Sequence, residues 1–222
     1  MVRDGCASAP GAPGVNDPYG ASNRAIFDFN LKADHLALRP TAERYQSWGP
    51  DEVRDSLRNA LDNLHAPVVI ANDHLQAEGS RASTMAGRFL SNSTLGLGGR
   101  IDVAGRWGLA SHDEDLRQTL ARWGVGEGPY SVQPPLGPSH PRDIAGKAGD
   151  VALDPGVYFK IERHLLWERM RQYLTIVDTR ARNLEAFDAI ERDSLDFYAS
   201  VRSFYRQNRT YQIRNGTPAG DE

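Results

Sequence analysis

The feature that most constrains this chain is a helical hydrophobic period that keeps restarting. Apolar residues recur at steps of three and four over short stretches, and glycine or proline then interrupts them. Ile26, Phe29, Ala33 and Leu36 mark the first stripe, within Ser22 to Leu38, and Pro40 is expected to stop that helix. Pro50-Asp51-Glu52 then opens a second, with Val53, Leu57, Ala60, Leu61 and Leu64 on one face until Pro67. Further short helices are expected from Val68 to Gln76, from Ser80 to Asn92, and after the acids Asp113, Glu114 and Asp115 with Leu116, Leu120 and Trp123.

Between them, Gly96-Leu97-Gly98-Gly99 and Gly124-Val125-Gly126-Glu127-Gly128-Pro129 read as sharp turns. The second runs on through Pro134-Pro135, Gly137-Pro138 and Pro141 as a non-helical connection. Helical spacing returns from Gly156 in two longer segments. One, from Val157 to Arg180, carries Ile161, Leu165, Leu166, Met170, Leu174 and Val177; the other carries Leu195, Tyr198, Val201 and Tyr205. No strand alternation and no internal repeat stands out, so the expected class is all-α: short amphipathic helices with Gly/Pro-rich connections and two longer C-terminal helices.

The ends read differently. Residues 1–16 are rich in Gly, Ala, Pro and Ser and lack a period, as in a flexible leader that can tether a domain; residues 17–215 form the helical domain and 216–222 a polar tail. Met1 to Gly5 supplies Arg3 and no apolar run, so these residues are not read as a signal peptide. Gly5-Cys6 resembles the end of a bacterial lipoprotein signal, and two readings of Cys6 stand: an acylated tether or an incidental thiol. As the single cysteine, Cys6 cannot form an internal disulfide.

Charge and composition remove several classes of function. A net charge of -3 gives no overall basic field for nucleic acid. The longest apolar run, Ala66 to Ala71, is far short of the roughly twenty residues a spanning helix needs. His112, Asp113, Glu114 and Asp115 have the residue types of a metal or hydrolytic site, but consecutive helical residues point in different directions, and acids at a helix N-terminus explain them better. The other histidines show no metal-binding pair, no GxSxG elbow occurs, and Gly96, Gly98 and Gly99 lack the strand and the Lys-Ser or Lys-Thr of a phosphate loop. The chain is therefore expected to be no enzyme and to need no cofactor. Amphipathic helices with Trp48, Trp107, Trp123 and Trp167 fit a membrane interface, but on periodicity alone an ordinary helical core fits them better.

Specific wording goes further. The chain contains Asp17-Pro18-Tyr19, Asn23-Arg24, Phe27, Phe29-Asn30, Leu38-Arg39-Pro40, Asn59, Asn63-Leu64, Pro67, Asn72 and Leu75-Gln76. Gly87-Arg88-Phe89-Leu90, Asn92-Ser93-Thr94-Leu95-Gly96, Gly98-Gly99, Asp102-Val103-Ala104, Glu114-Asp115 and Gln118-Thr119-Leu120 follow in order. Trp123 through Tyr130, Leu136-Gly137-Pro138-Ser139 and Arg142-Asp143 complete the series. Over about residues 17 to 215 this resembles the MlaA family, also called VacJ lipoproteins.

The resemblance implies an outer-membrane lipoprotein, acylated at Cys6, on the periplasmic face. Its short helices would lie ring-like in the inner leaflet around an amphipathic channel. It would work with a trimeric porin, take phospholipid misplaced in the outer leaflet and pass it to a periplasmic carrier of the Mla type, so preserving lipid asymmetry. Gly96, Gly98, Gly99, Gly124, Gly126 and Gly128 would make the turns that close the ring. Arg171 aligns, by its distance from Asp178-Thr179-Arg180-Ala181, with a basic channel position of the family; with Lys160 and Arg163 it would guide a phosphate, the other reading being a solvated arginine. Three departures from the family pattern stand out: Gly20 and Ser22 replace the usual acid and aromatic of the opening motif, His65 stands where an acid commonly precedes the proline, and the lipidation signal is defective, with Arg3 and Asp4 where apolar or small residues are usual. The competing function is a periplasmic adaptor that kept the scaffold and lost transport, whose mark would be a filled centre with no polar passage.

Overall fold

The computed structural model describes residues 17–158 and 164–216. Ten α-helices run through them: α1 (Gly20–Ala33), α2 (Arg39–Ser47), α3 (Asp51–Leu75), α4 (Gly79–Thr94), α5 (Val103–Arg106), α6 (Leu116–Arg122), α7 (Pro141–Leu153), α8 (His164–Arg182), α9 (Leu184–Asp193) and α10 (Phe197–Ile213). The class is all-α, with α8 and α10 as the two longer C-terminal helices and the short α9 between them.

The expected stops at Pro40 and Pro67 do not occur. Asp34–Leu38 is a π-helical turn that joins α1 to α2 without a break, and the Arg39 N–H reaches back five residues to the Asp34 carbonyl. A widened turn accommodates a proline ring that a regular α-turn would reject. Pro67 lies inside α3, which therefore continues through Val68 to Leu75 as one helix. Packing explains this: Ala66 and Val69 bury against Met85 of α4, with Ile70 and Phe89 beside them, and that burial offsets the roughly 3 kcal/mol of an interior proline.

Two other readings need correction. Ser131–Gln133 (β1) and Gly137–Ser139 (β2) pair antiparallel in a minimal hairpin, too short to register as an alternating pattern. The connection after it is helical from Pro141, not from Gly156. Its glycines serve close approach: a Cβ on Gly146 would stand 2.4 Å from Arg117 Cγ and 2.7 Å from Arg117 N, so α6 can lie against α7 only over bare backbone.

The elements close into a ring. From α1 the chain passes to α2, which packs on α8; α8 meets α3, α3 meets α6, and α6 meets α10. From there Tyr198 packs edge-on to Phe27, at 5.5 Å between ring centroids, and Asp196 pairs with Arg24 of α1. The apolar core is split into small clusters, around Phe27, Tyr130, Val132 and Tyr198, around Ala42, Ala181 and Leu184, and around Ala66, Val69 and Met85. Among the described residues, buried polar and charged side chains outnumber buried apolar ones. Polar networks must therefore carry much of what a single oil-like core carries elsewhere.

Candidate functional site

A cavity of about 400 Å³ opens where α1, the π-turn, α2, the hairpin tip, α8, α9 and α10 converge. Its walls are mostly apolar: Phe27, Leu31 and Leu38 come from the first long helical segment, Leu136 and Pro138 from the hairpin, and Phe187 and Val201 from the C-terminal helices. One corner is polar, made by Asn30, Asp34, Thr41 and Arg180.

That corner is built around an ion pair. Arg180 Nε donates to Asp34 Oδ1 and Nη2 to Oδ2, both at 2.9 Å, which is the two-pronged geometry guanidinium favours. The side chains are 8% and 12% exposed. The Arg180 guanidinium also lies 4.5 Å from the centroid of the Phe187 ring, and its third nitrogen, Nη1, is buried with no hydrogen-bond partner. One turn before Asp34, the Asn30 amide donates to the Gln133 carbonyl at 3.0 Å, while its own oxygen is buried and unpartnered. An apolar chamber with a donor and acceptors left open in one corner suits a molecule with a long apolar part and a charged end.

The scaffold around this corner is tied down from both sides. Two residues before Arg180 on α8, Asp178 accepts from Arg58 of α3 at 3.1 Å and from the Tyr45 hydroxyl of α2 at 3.1 Å, and it pairs with Arg182 at 2.9 Å. At the start of the domain, Asp17 accepts from Asn23 at 2.7 Å, from the Tyr198 hydroxyl at 2.6 Å and from Arg202 at 2.7 Å. The Asn23 oxygen accepts from the Val132 N–H at 2.9 Å, which fixes the hairpin to α1. The Asp17 and Asn23 positions of the opening motif are thus structural anchors between α1, α10 and the hairpin.

The acidic run 113–115 behaves as three separate residues. Asp115 caps α6 by accepting from the Gln118 N–H at 2.9 Å; Glu114 takes Arg81 at 2.7 Å and Gln76 at 2.9 Å; Asp113 lies 3.6 Å from His65. The close approach of the two groups raises the His65 pKa and lowers that of Asp113, so His65 has an acid supplied to it from across the fold. Among the described residues no group of histidine, cysteine and acids is placed to hold a metal ion.

Of the residues singled out in the sequence, Cys6, Lys160 and Arg163 lie outside the described residues. Arg171 is on α8, bonded to Asp154 and to Glu168. Nine residues separate it from Arg180, about half a revolution in excess of two turns at 100° per residue, so it lies on the face opposite the cavity. Of the turn glycines, Gly98, Gly99, Gly124 and Gly128 adopt positive φ and Gly96 and Gly126 do not. Gly99, with φ 89°, also presses on α3: a Cβ there would stand 2.4 Å from the Asn63 Cβ. The Asp34–Arg180 pair escaped the sequence reading because its members are 146 positions apart; the only local hint was the placing of Asn30 and Asp34 one turn apart.

Comparison with known proteins agrees with this architecture. The model of the family described as MlaA lipoprotein matches residues 15–212. The chain is 34% identical to the intermembrane phospholipid transport system lipoprotein MlaA of Shigella flexneri over 219 residues, 96% of this chain and 84% of that protein. It is also 34% identical to an uncharacterised protein of Rickettsia bellii over 95% of this chain and 82% of the other. A solved structure concerned with the structural basis for maintenance of bacterial outer membrane lipid asymmetry superposes with a TM-score of 0.77 at 32% identity, covering 89% of this chain and 98% of that one. With a family match across nearly the whole described domain and relatives of this closeness, the chain belongs to the MlaA lipoprotein family.

Proposed function

We propose that this protein transports phospholipid in the bacterial outer membrane, removing molecules misplaced in the outer leaflet and passing them to a periplasmic carrier of the Mla type, without covalent chemistry. The observation that carries the reading is the cavity: an apolar chamber with one buried ion-paired corner, in a chain that belongs to this family. A phospholipid needs that combination, since its acyl chains gain from apolar walls and its head group loses unless polar partners replace water.

The outer surface supports a seat in the membrane interface. Leu90 on α4, Leu95 and Leu97 in the turn after it and Trp107 just past the end of α5 are each more than half exposed, although no described helix is long and apolar enough to cross a membrane. Exposed apolar surface of this kind, next to a polar body, suits a protein lying in one leaflet. In this reading Cys6 carries the lipid anchor, a trimeric porin holds the protein at the periplasmic face, and Gly96, Gly98, Gly99, Gly124, Gly126 and Gly128 shape the turns that close the ring. Arg171, with Lys160 and Arg163, supplies the basic groups of the lipid channel. An adaptor without transport would have no use for an open chamber with unmatched polar atoms in its wall.

The test is the phospholipid content of the outer leaflet in cells lacking the protein, complemented with the native chain, a Cys6→Ala chain and an Arg171→Glu chain. Outer-leaflet phospholipid is expected to rise on deletion and to fall with the native chain, less so with either variant. No rise on deletion would favour the adaptor.

A further inference from the structure

We infer that the polar corner formed by Asn30, Asp34 and Arg180 is a head-group station selective for phospholipids whose head group carries an ammonium with N–H bonds, such as an ethanolamine phospholipid. The inference rests on the transport reading and deepens it. Arg180 lines the cavity, is more than nine-tenths buried, and has one nitrogen, Nη1, without a partner. A phosphodiester oxygen is the acceptor that nitrogen lacks. Asp34 and the unpartnered Asn30 oxygen, one helical turn apart on the same wall, are acceptors only in the directions left to them, and an ammonium is the donor they lack.

Charge balance selects among head groups. The Asp34–Arg180 pair is neutral as a unit, so a zwitterionic lipid, phosphate towards Arg180 and ammonium towards Asp34, leaves the buried corner neutral. A lipid with an anionic head group would add one uncompensated negative charge there, which a low-dielectric wall strongly disfavours. A trimethylated ammonium balances the charge but offers no N–H to the Asn30 oxygen, so choline lipids rank between the two. The apolar walls formed by Phe27, Leu31 and Phe187 require the acyl chains as well, so a free head group is a poor ligand.

The experiment uses the full chain, purified and incubated with vesicles of equal parts palmitoyl-oleoyl phosphatidylethanolamine, phosphatidylcholine and phosphatidylglycerol. The lipid retained after re-isolation is measured by mass spectrometry. The native protein should enrich the ethanolamine lipid over the glycerol lipid about tenfold, the discrimination that one charge-assisted contact provides. Asp34→Asn should abolish that preference and Arg180→Gln should lower retention of all three lipids. The double variant Asp34→Met with Arg180→Met keeps the packing without leaving a lone buried charge; folded by circular dichroism, it should retain lipid without selectivity. Equal retention of the three lipids by the native protein, or a preference unchanged in the double variant, would overturn the inference while leaving phospholipid transport standing. Retention of no lipid at all would overturn both. Glycerophosphoethanolamine should fail to compete at the same concentration; effective competition would overturn the assignment to a lipid.

Discussion

Two buried ionic corners of this molecule use the same residue types to opposite ends. At the seam between α1, α10 and the hairpin, Asp17 is saturated by Asn23, Tyr198 and Arg202, with the Tyr198 ring also packed against Phe27 and Tyr130. At the cavity, Asp34 and Arg180 satisfy each other but leave a nitrogen and the neighbouring Asn30 oxygen open. An unpartnered atom is not in itself the difference, since the Tyr130 hydroxyl at the seam also lacks a partner. Tyr130 is 1% exposed and enclosed by the His140, Tyr198 and Tyr205 rings, where nothing can enter. At the cavity the unpartnered atoms belong instead to Asn30 and Arg180, two residues that line open space. Scaffold and site are told apart by what surrounds the charge.

The comparison can be broken most directly at the seam. Asp17→Ala leaves the buried Tyr198 hydroxyl and the Asn23 amide without this acceptor and the half-buried Arg202 without its charge partner, and should lower the unfolding free energy by about 2–4 kcal/mol in a urea titration followed by circular dichroism. A loss below about 1 kcal/mol would mean that the seam relaxes and is no anchor. At the cavity, the Asp34→Met, Arg180→Met variant should stay within about 2 kcal/mol of the native stability, because both charges leave together. Its expected defect is in cells, where outer-leaflet phospholipid should lie between the native level and that of the deletion, because the variant still takes up lipid but no longer selects its head group. Full complementation by that variant would reduce the corner to a strut.

How far the sequence could anticipate these two corners follows from how local their signals are. The helical class comes from neighbours in sequence, where period and capping operate, and Asp115 caps α6 as the acid-rich start implies, but Glu114 and Asp113 turn instead to Arg81, Gln76 and His65, more than thirty positions away. Pro40 and Pro67 misled because tertiary packing and a π-turn override a local rule. The glycines of α7 misled because Gly146 serves contact with Arg117, and a turn glycine and a contact glycine look alike in one dimension. Family motifs include Asp17 and Asn23, but that these two tie α1 to α10 and the hairpin is visible only in the structure. They align Arg171 with a basic channel position, and the arginine of α8 that lines the cavity is Arg180, nine positions further on. Which face of α8 looks inward depends on partners that no stretch of α8 encodes.

Acid should separate the corners by a smaller margin. Asp143, buried beside the seam, accepts from the Tyr205 hydroxyl and lies 3.4 Å from His140, and these contacts with Arg209 hold its carboxyl well below the usual range despite burial. Asp196, bonded to Arg24, is lowered to about 2. Both stay ionised in the folded state at a pH where the unfolded chain binds protons, so their stabilisation is present above about pH 4 and is lost as pH falls through the folded values. Stability should drop as pH falls from about 5 to 3, mostly through Asp143 because the exposed Asp196–Arg24 pair is screened by solvent, and Asp143→Asn should flatten that slope. A slope unchanged in the variant would place the acid-sensitive group elsewhere.

The finest test sets the two arginines of α8 against each other. Arg171 is held by Asp154 and Glu168 on the face away from the cavity, and Arg180 by Asp34 on the face towards it. If Arg171 serves the passage and Arg180 the head group, Arg171→Gln should slow lipid movement about fivefold, the weight of one ordinary polar contact, while the preference for the ethanolamine lipid persists. Asp34→Asn should do the reverse, erasing the preference with a smaller effect on rate. The two variants are measured side by side, by lipid retention in vitro and by outer-leaflet phospholipid in complemented cells. Loss of selectivity in Arg171→Gln would mean that the two faces of α8 act as one site, because a residue on the far face has no other route to the head group than through the helix itself.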